Sequence, residues 1–267
     1  MPLIVPVDDP ADPRIAAYRD IRERDLVGRG ERFIAEGKVV VRVLLESSPY
    51  RVESLLIAAP RLTGVEPLLS ILPDDVPVYA ASQPVLDAIA GFPVHRGVLA
   101  VGRRGPAPDA DGLLARLADR AVVVGLVGIA NHDNMGGILR NAAAFGADAV
   151  ILAADCCDPL YRKAIRVSVG ASLIVPTVRL APGADIIDLL ARHDIVPVAL
   201  APHGAADLAE LSPGHRTALL FGSEGPGLPD GILARCRTVR ISMARGFDSL
   251  NVATASGIVL HHVAALR

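Results

Sequence analysis

From residue 121 onward, short apolar runs alternate with stretches of helical periodicity. The runs 121–129, 149–153, 196–200, 217–221 and 238–242 are brief and mostly rich in β-branched residues, which predicts buried strands. Between them, 134–146 puts Ile138, Ala142 and Phe145 on one helical face, and 185–193 and 249–266 also read as helices. Strands apolar throughout and separated by helices predict an α/β domain whose mostly parallel sheet is covered on both faces.

The first hundred residues are less regular. A charge-dense stretch, 13–30, ends in glycine and predicts an exposed helix, while 52–58, 76–80 and 97–101 read as strands. Ser82, Pro84 and Gly91 mark the start, first turn and end of a short helix. The run 38–45 fits a strand by its β-branched residues and a buried helix by its length. Gly, Pro and Asp crowd 102–112 without any apolar period. The expected division is therefore a domain over 1–103, a linker over 104–112 and a second domain over 113–267.

Composition narrows the choice. At 51% hydrophobic and 21% charged, the 267 residues support a sizeable core and are unlike a disordered chain. The longest apolar run, 121–130, is half the ~20 residues a membrane span needs and holds two glycines. The start, Met1-Pro2 with acidic residues soon after, does not read as a secretion signal. Three cysteines (156, 157 and 236) without C-x-x-C spacing predict neither disulfides nor a zinc site, and suit a reducing, cytoplasmic setting. The net charge is −2, so nucleic-acid binding would need a local basic patch. Only Lys38 and Lys163 among the 27 basic residues are lysines; the rest are arginines, able to bind phosphate bidentately.

Ligands of open α/β sheets bind beyond the carboxyl ends of the strands. Three loops expected there carry unusual residues: Asn131-His-Asp-Asn-Met-Gly-Gly-Ile-Leu-Arg140, Phe221-Gly-Ser-Glu-Gly-Pro-Gly-Leu-Pro229 and Ile241-Ser-Met-Ala-Arg-Gly-Phe-Asp-Ser-Leu-Asn251. In the second, glycines 222, 225 and 227 run G-x-x-G-x-G, not the G-x-G-x-x-G of a dinucleotide site. Pro226 also removes an N–H where a pyrophosphate would want one. A nicotinamide-dependent oxidoreductase is thereby disfavoured. A ligand without phosphates, approached closely by backbone over glycine, fits better.

Taken together, the three loops resemble the three motifs of the SpoU (TrmH-type) RNA 2′-O-methyltransferases: N-x-x-N-x-G-x-x-x-R, G-x-E-G-x-G-L and I-x-M…S-L-N-V. The resemblance extends from about 120 to 267. It departs at His132-Asp133, where a proline is common, and at Ala253-Thr-Ala-Ser256, in place of serine-valine-alanine. Gly30-Glu-Arg-Phe-Ile-Ala-Glu-Gly37 and His95-Arg-Gly-Val-Leu-Ala100 resemble the family's accessory RNA-binding domain, a smaller α/β fold shared with some ribosomal proteins. The resemblance implies a C-terminal trefoil-knotted methyltransferase domain, a homodimer, S-adenosylmethionine as cofactor, no metal, and an RNA substrate. A separate RNA-binding domain favours 23S ribosomal RNA; transfer RNA, or a non-catalytic ribosome-assembly role, are the alternatives. By the same resemblance, Leu200, Ala201, Gly222, Glu224, Gly225, Ile241, Met243 and Leu250 hold the cofactor. Asn131, Arg140, Glu224, Ser249 and Asn251 occupy catalytic-motif positions, and Asn134, Arg140 and Arg32 face substrate.

Several of these residues also admit plainer roles. Arg140 lies off the apolar face of its helix, as a solvated arginine would; a guanidinium resists deprotonation, so any catalytic role is electrostatic. Asn134 and Ser249 could each be a helix N-cap. Asn131 and Asn251 pair a donor with an acceptor, and Glu224 needs a partner such as Arg140 or a loop amide if buried. Adjacent His261 and His262 point to different helix faces, the cysteines are inert, and Arg162, Lys163 and Arg166 form either an RNA-facing or a merely solvated surface.

Overall fold

The computed structural model describes residues 2–19, 31–90, 97–247 and 249–267, which form two compact units, Met1–Pro106 with Pro159–Ile174, and Ala107–Asp158 with Val175–Arg267. The elements run β1 (Ile4–Val7), β2 (Arg32–Glu36), α1 (Lys38–Glu46), β3 (Arg51–Ala58), α2 (Glu66–Leu69), β4 (Val78–Ala81), α3 (Gln83–Ala90) and β5 (Val98–Arg103). There follow α4 (Ala110–Ala115), β6 (Ala121–Leu126), α5 (His132–Ala144), β7 (Ala149–Leu152), α6 (Arg162–Val167), β8 (Thr177–Arg179) and α7 (Ile186–Arg192). The chain continues through β9 (Val196–Leu200), β10 (Ala206–Asp207), β11 (Arg216–Phe221), α8 (Asp230–Leu233), β12 (Arg237–Arg240) and α9 (Val252–Ala265).

In the first unit the described strands pair in the order β1-β4-β3-β5-β2, parallel through β1, β4 and β3 and antiparallel through β5 and β2. Alternate residues supply two cores. Phe33, Leu55, Ile57 and Val98 face α1 and α2, while Ile34, Leu56, Leu99 and Val101 face Ile15, Tyr18 and Leu86. The ambiguous run at 38–45 is helix: Val40, Val41 and Leu44 are buried at helical spacing and Val39 is exposed. The expected exposed helix at 13–30 is corrected for its described part, a 3-10 turn over Pro13–Tyr18 with Ile15 and Tyr18 fully buried; 20–30 lie outside the described residues. So do His95 and Arg96 of the second resembling stretch.

Where the sequence suggests one crossing at 104–112, residues 159–174 also belong to this first unit. Leu160, Ile165 and Leu173 enter its core, and Arg162 donates to Glu36 at 2.5 Å in a largely buried ion pair. Arg162 is thus no solvated or RNA-facing cation. The segment turns through Val169 at φ 54° and Gly170 at φ 87°. A β-branched residue in the left-handed region is strained by about 1–2 kcal/mol. Val169→Gly is expected to stabilise the unit by about 0.5–1 kcal/mol, glycine's own entropic cost offsetting part of the relief. A lower denaturant midpoint in that variant would contradict the strain.

The second unit carries a sheet ordered β10-β12-β9-β11-β6-β7-β8, every pairing parallel, as the uniform apolar runs predict. Val123, Ile151, Ala199 and Leu220 pack on one face against Ile187 and Leu190 of α7. Parallel strands place the loops after β6, β9, β11 and β12 at one edge of the sheet. Helices α5 and α9 pack closely because a Cβ on Gly137 would come within 2.7 Å of the Ala253 Cβ. Asn141 secures the pair, donating to Ala253 O at 2.7 Å and Ser256 Oγ at 2.9 Å. Among the described residues no helix is long and apolar enough to cross a membrane.

Candidate functional site

The edge loops of the second unit enclose a cavity of about 380 Å³, within the ~300–1,000 Å³ usual for small-molecule sites. Leu200, Ala201 and Pro202 at the end of β9, Phe221 to Gly225 and Gly227 after β11, and Val239 at β12 form part of its wall. Ile241, Met243 and Ser249 through Val252, with Ala255, complete it. All eight positions expected to hold a cofactor therefore share one cavity. Sequence reasoning missed Phe221 and Val239, fully buried strand residues that look like ordinary core. The only signal available was their place at strand ends.

The loop after β11 is a tight coil. Ser223 O accepts from Gly227 N at 3.1 Å, and Gly225 and Gly227 take φ of 84° and 71°. Gly222 has a different constraint: a Cβ there would lie 2.2 Å from Gly227 C and 2.3 Å from Leu228 N. The loop after β12 is held by Asp207, which accepts from the Ser242 hydroxyl. That bond, followed by the Ala209 amide, keeps the Asp207 carboxyl below its ordinary range.

One hydrogen-bonded ring ties the three loops together. Asn134 Nδ2 donates to Glu224 Oε1 at 2.7 Å, and Asn251 Nδ2 donates both to Asn134 Oδ1 at 2.8 Å and to Glu224 Oε1 at 3.0 Å. Glu224 therefore engages side-chain amides, where the sequence left open Arg140 or a backbone amide. Asn134→Asp would replace a donor by a second carboxylate against Glu224. We expect a loss of about 1–3 kcal/mol at neutral pH. The two carboxyls would share a proton in the folded state, so their folded pKa rises and stability returns as pH falls towards 4. Urea midpoints at both pH values check this; equal losses at both would contradict the charge argument.

The helix caps also differ from expectation. Asn131, not Asn134, caps α5, its Oδ1 accepting from Asp133 N at 2.7 Å and Asn134 N at 3.4 Å. Asn251, not Ser249, caps α9, accepting from Ala253 N at 3.0 Å and Thr254 N at 3.2 Å. Asn131 is thus occupied as a cap outside the cavity wall, whereas Ser249 is part of that wall.

Arg140 lies six residues beyond Asn134 on α5, exposed, without an ion pair among the described residues and outside the cavity lining. Arg32 lies in the first unit, donating to Glu53 at 2.6 Å; Glu53 also takes Arg103. His261 stands edge-on to Phe145 at 5.6 Å and His262 lies 3.1 Å from Leu211 O, so the adjacent histidines have separate partners. Burial raises the Cys156 and Cys236 thiols and pushes Cys157 up to about 11, which disfavours the thiolate form. Among the described residues no cluster of His, Cys, Asp or Glu is fit to hold a metal.

A parallel sheet whose strand ends and glycine-rich loops close a cavity of this size defines an α/β domain built to bind a small organic ligand. Residues 121–261 match the SpoU rRNA Methylase family, and the chain belongs to that family. A Mycobacterium bovis protein described as an uncharacterized tRNA/rRNA methyltransferase is 40% identical, covering 96% of this chain and 90% of the relative. The Escherichia coli 23S rRNA (guanosine-2′-O-)-methyltransferase RlmB is 32% identical over 85% of this chain and 96% of its own. The solved SpoU methyltransferase AviRb from Streptomyces viridochromogenes, in complex with AdoMet, aligns with TM-score 0.80 and 26% identity, covering 95% of this chain and 97% of that one.

Proposed function

We propose that this chain transfers a methyl group from S-adenosylmethionine to a ribose 2′-oxygen of RNA, with 23S ribosomal RNA the favoured substrate. The observation that carries the proposal is the ring Asn134–Glu224–Asn251, which gathers residues from all three motifs beside one cavity. The kinship with RlmB supports the ribose oxygen and the ribosomal substrate; the M. bovis relative's broader description keeps transfer RNA as the second reading.

The cavity fits the cofactor by its chemistry. Phe221, Val239, Ile241, Met243 and Leu250 offer apolar walls, and Gly225 and Gly227 have nothing within 4 Å of where a Cβ would stand. When bound, S-adenosylmethionine supplies a methyl carbon already activated by a positively charged sulfur. The protein's task is then alignment, which contributes about 7–11 kcal/mol in well-oriented reactions, against roughly 3–5 from a general base giving 10²–10⁴-fold. Glu224, Asn134 and Asn251 fix the loops that orient the reactants. Ser249 stands in the same wall. Arg140, exposed and outside the cavity lining, offers a bidentate guanidinium to an RNA phosphate and so helps to align the sugar.

In this reading the C-terminal unit is the knotted domain of a homodimer working in the cytoplasm. The N-terminal unit grips RNA, with Arg32 on its substrate side. Titration calorimetry with S-adenosylmethionine tests the cofactor assignment. Saturable one-site binding supports it; absence of heat together with RNA binding would favour a non-catalytic assembly factor.

A further inference from the structure

Met243 and Ser249 both belong to the cavity wall, so Arg245 and Phe247 each lie two residues along the chain from a wall residue. The chain turns sharply between them: Phe247 N donates to Ala244 O at 3.2 Å, and Gly246 takes φ 87° with open space around it. The turn holds the Phe247 ring in water, 76% exposed, more than any other exposed large hydrophobic side chain of the described residues. Aromatic residues make up only 3% of the chain. Arg245, two residues earlier, is exposed and has no ion pair among the described residues.

One exposed apolar side chain is unremarkable on a protein surface. An exposed ring next to an exposed arginine that has no ion pair among the described residues, on a loop that joins two wall residues of a ligand cavity, has a specific chemical complement. Single-stranded RNA offers flat bases that stack on aromatic rings and phosphates that pair with guanidinium groups. We propose that Phe247 is a stacking platform for an unpaired base at or next to the target nucleotide, with Arg245 holding a neighbouring phosphate. This rests on the methyltransferase reading above and adds to it the residues that present a single-stranded segment to the cavity. Recognition by stacking would accept any base and would require that the target be unpaired.

The test uses the full-length protein, a fluorescent oligouridylate followed by anisotropy, and methyl transfer to ribosomal RNA from a strain lacking the gene. Phe247→Ala is expected to weaken oligouridylate binding and raise the RNA KM by about 5- to 150-fold, the range for losing one stacked base. Calorimetric affinity for S-adenosylmethionine should stay as in wild type. Phe247→Trp should restore binding, which loss of a merely structural contact would not allow. Arg245→Ala should lower the slope of log affinity against log salt by about 0.7, the share of one single-strand phosphate contact. Wild-type-like RNA binding by Phe247→Ala would overturn the proposal. So would a change in its sedimentation mass, which would assign the ring to a contact between copies. Failure of the wild type to transfer methyl groups, with oligonucleotide binding still dependent on Phe247, would instead strike the methyltransferase reading alone.

Discussion

Arg140→Ala is expected to reduce methyl transfer about 10²-fold while leaving S-adenosylmethionine affinity within about twofold. The side chain is exposed on α5, lines no part of the cavity and pairs with no carboxylate among the described residues. Its removal therefore costs the fold nothing and the cofactor site nothing. An arginine without an ion pair among the described residues retains its full donor set for an RNA phosphate, and losing a contact that aligns the reacting sugar costs about 10²-fold for a misplacement of about 1 Å. Arg140→Lys should recover only part of the loss, since a point charge replaces a planar fork. Turnover measured with saturating cofactor checks this. Wild-type turnover in Arg140→Ala would assign the residue to the solvated helix face that its position alone suggests.

Gly222→Ala is expected to weaken S-adenosylmethionine binding about 5- to 150-fold. The added carbon would stand 2.2 Å from Gly227 C and 2.4 Å from Gly227 O, both backbone atoms that cannot rotate away. The coil after β11 must then open, taking with it the cavity wall and the Glu224 carboxylate on which both asparagine amides converge. Overpacking of this kind costs about 1–3 kcal/mol, and 1.4 kcal/mol is a tenfold change in affinity. Gly225→Ala is the informative comparison. Its φ of 84° makes alanine strained, but nothing lies within 4 Å of the new carbon, so the loop need not open. Calorimetry should rank the two variants in that order, and the reverse order would contradict the steric argument.

Much of this site is legible in the chain because its chemistry is concentrated in three short loops. Glycines at 222, 225 and 227 and the asparagines at 131, 134 and 251 stand out against apolar strands. What the sequence does not resolve is which asparagine does what. Asn131 and Asn134 lie three residues apart at a helix start, and either spacing allows a cap. Only the tertiary contact with Glu224 and Asn251 draws Asn134 away from that role. Likewise Ser249 and Asn251 both precede an apolar helix, and the cap falls to Asn251. Phe221 and Val239 carry no chemical signal, being strand residues that become wall only when the neighbouring loops close over them.

The fold shows the same division. Uniform apolar runs announce the parallel sheet, whereas the three-residue β8 and two-residue β10 are too short to leave a period. The helix at 38–46 is chosen by burial of Val40, Val41 and Leu44 against propensity for a strand. The excursion of 159–174 into the first unit depends on Arg162 finding Glu36, two residues 126 positions apart that no local pattern connects.

The most direct measurement of the central claim is to incubate the protein with methyl-labelled S-adenosylmethionine and ribosomal RNA from a strain lacking the gene, then hydrolyse the RNA in alkali. A methylated 2′-oxygen cannot attack its neighbouring phosphate, so ribose methylation leaves the label in an alkali-resistant dinucleotide. The expected result is label in that dinucleotide, lost with Arg140→Ala. Label released as mononucleotides would place the methyl group on a base, and no label in any RNA would deny transfer altogether.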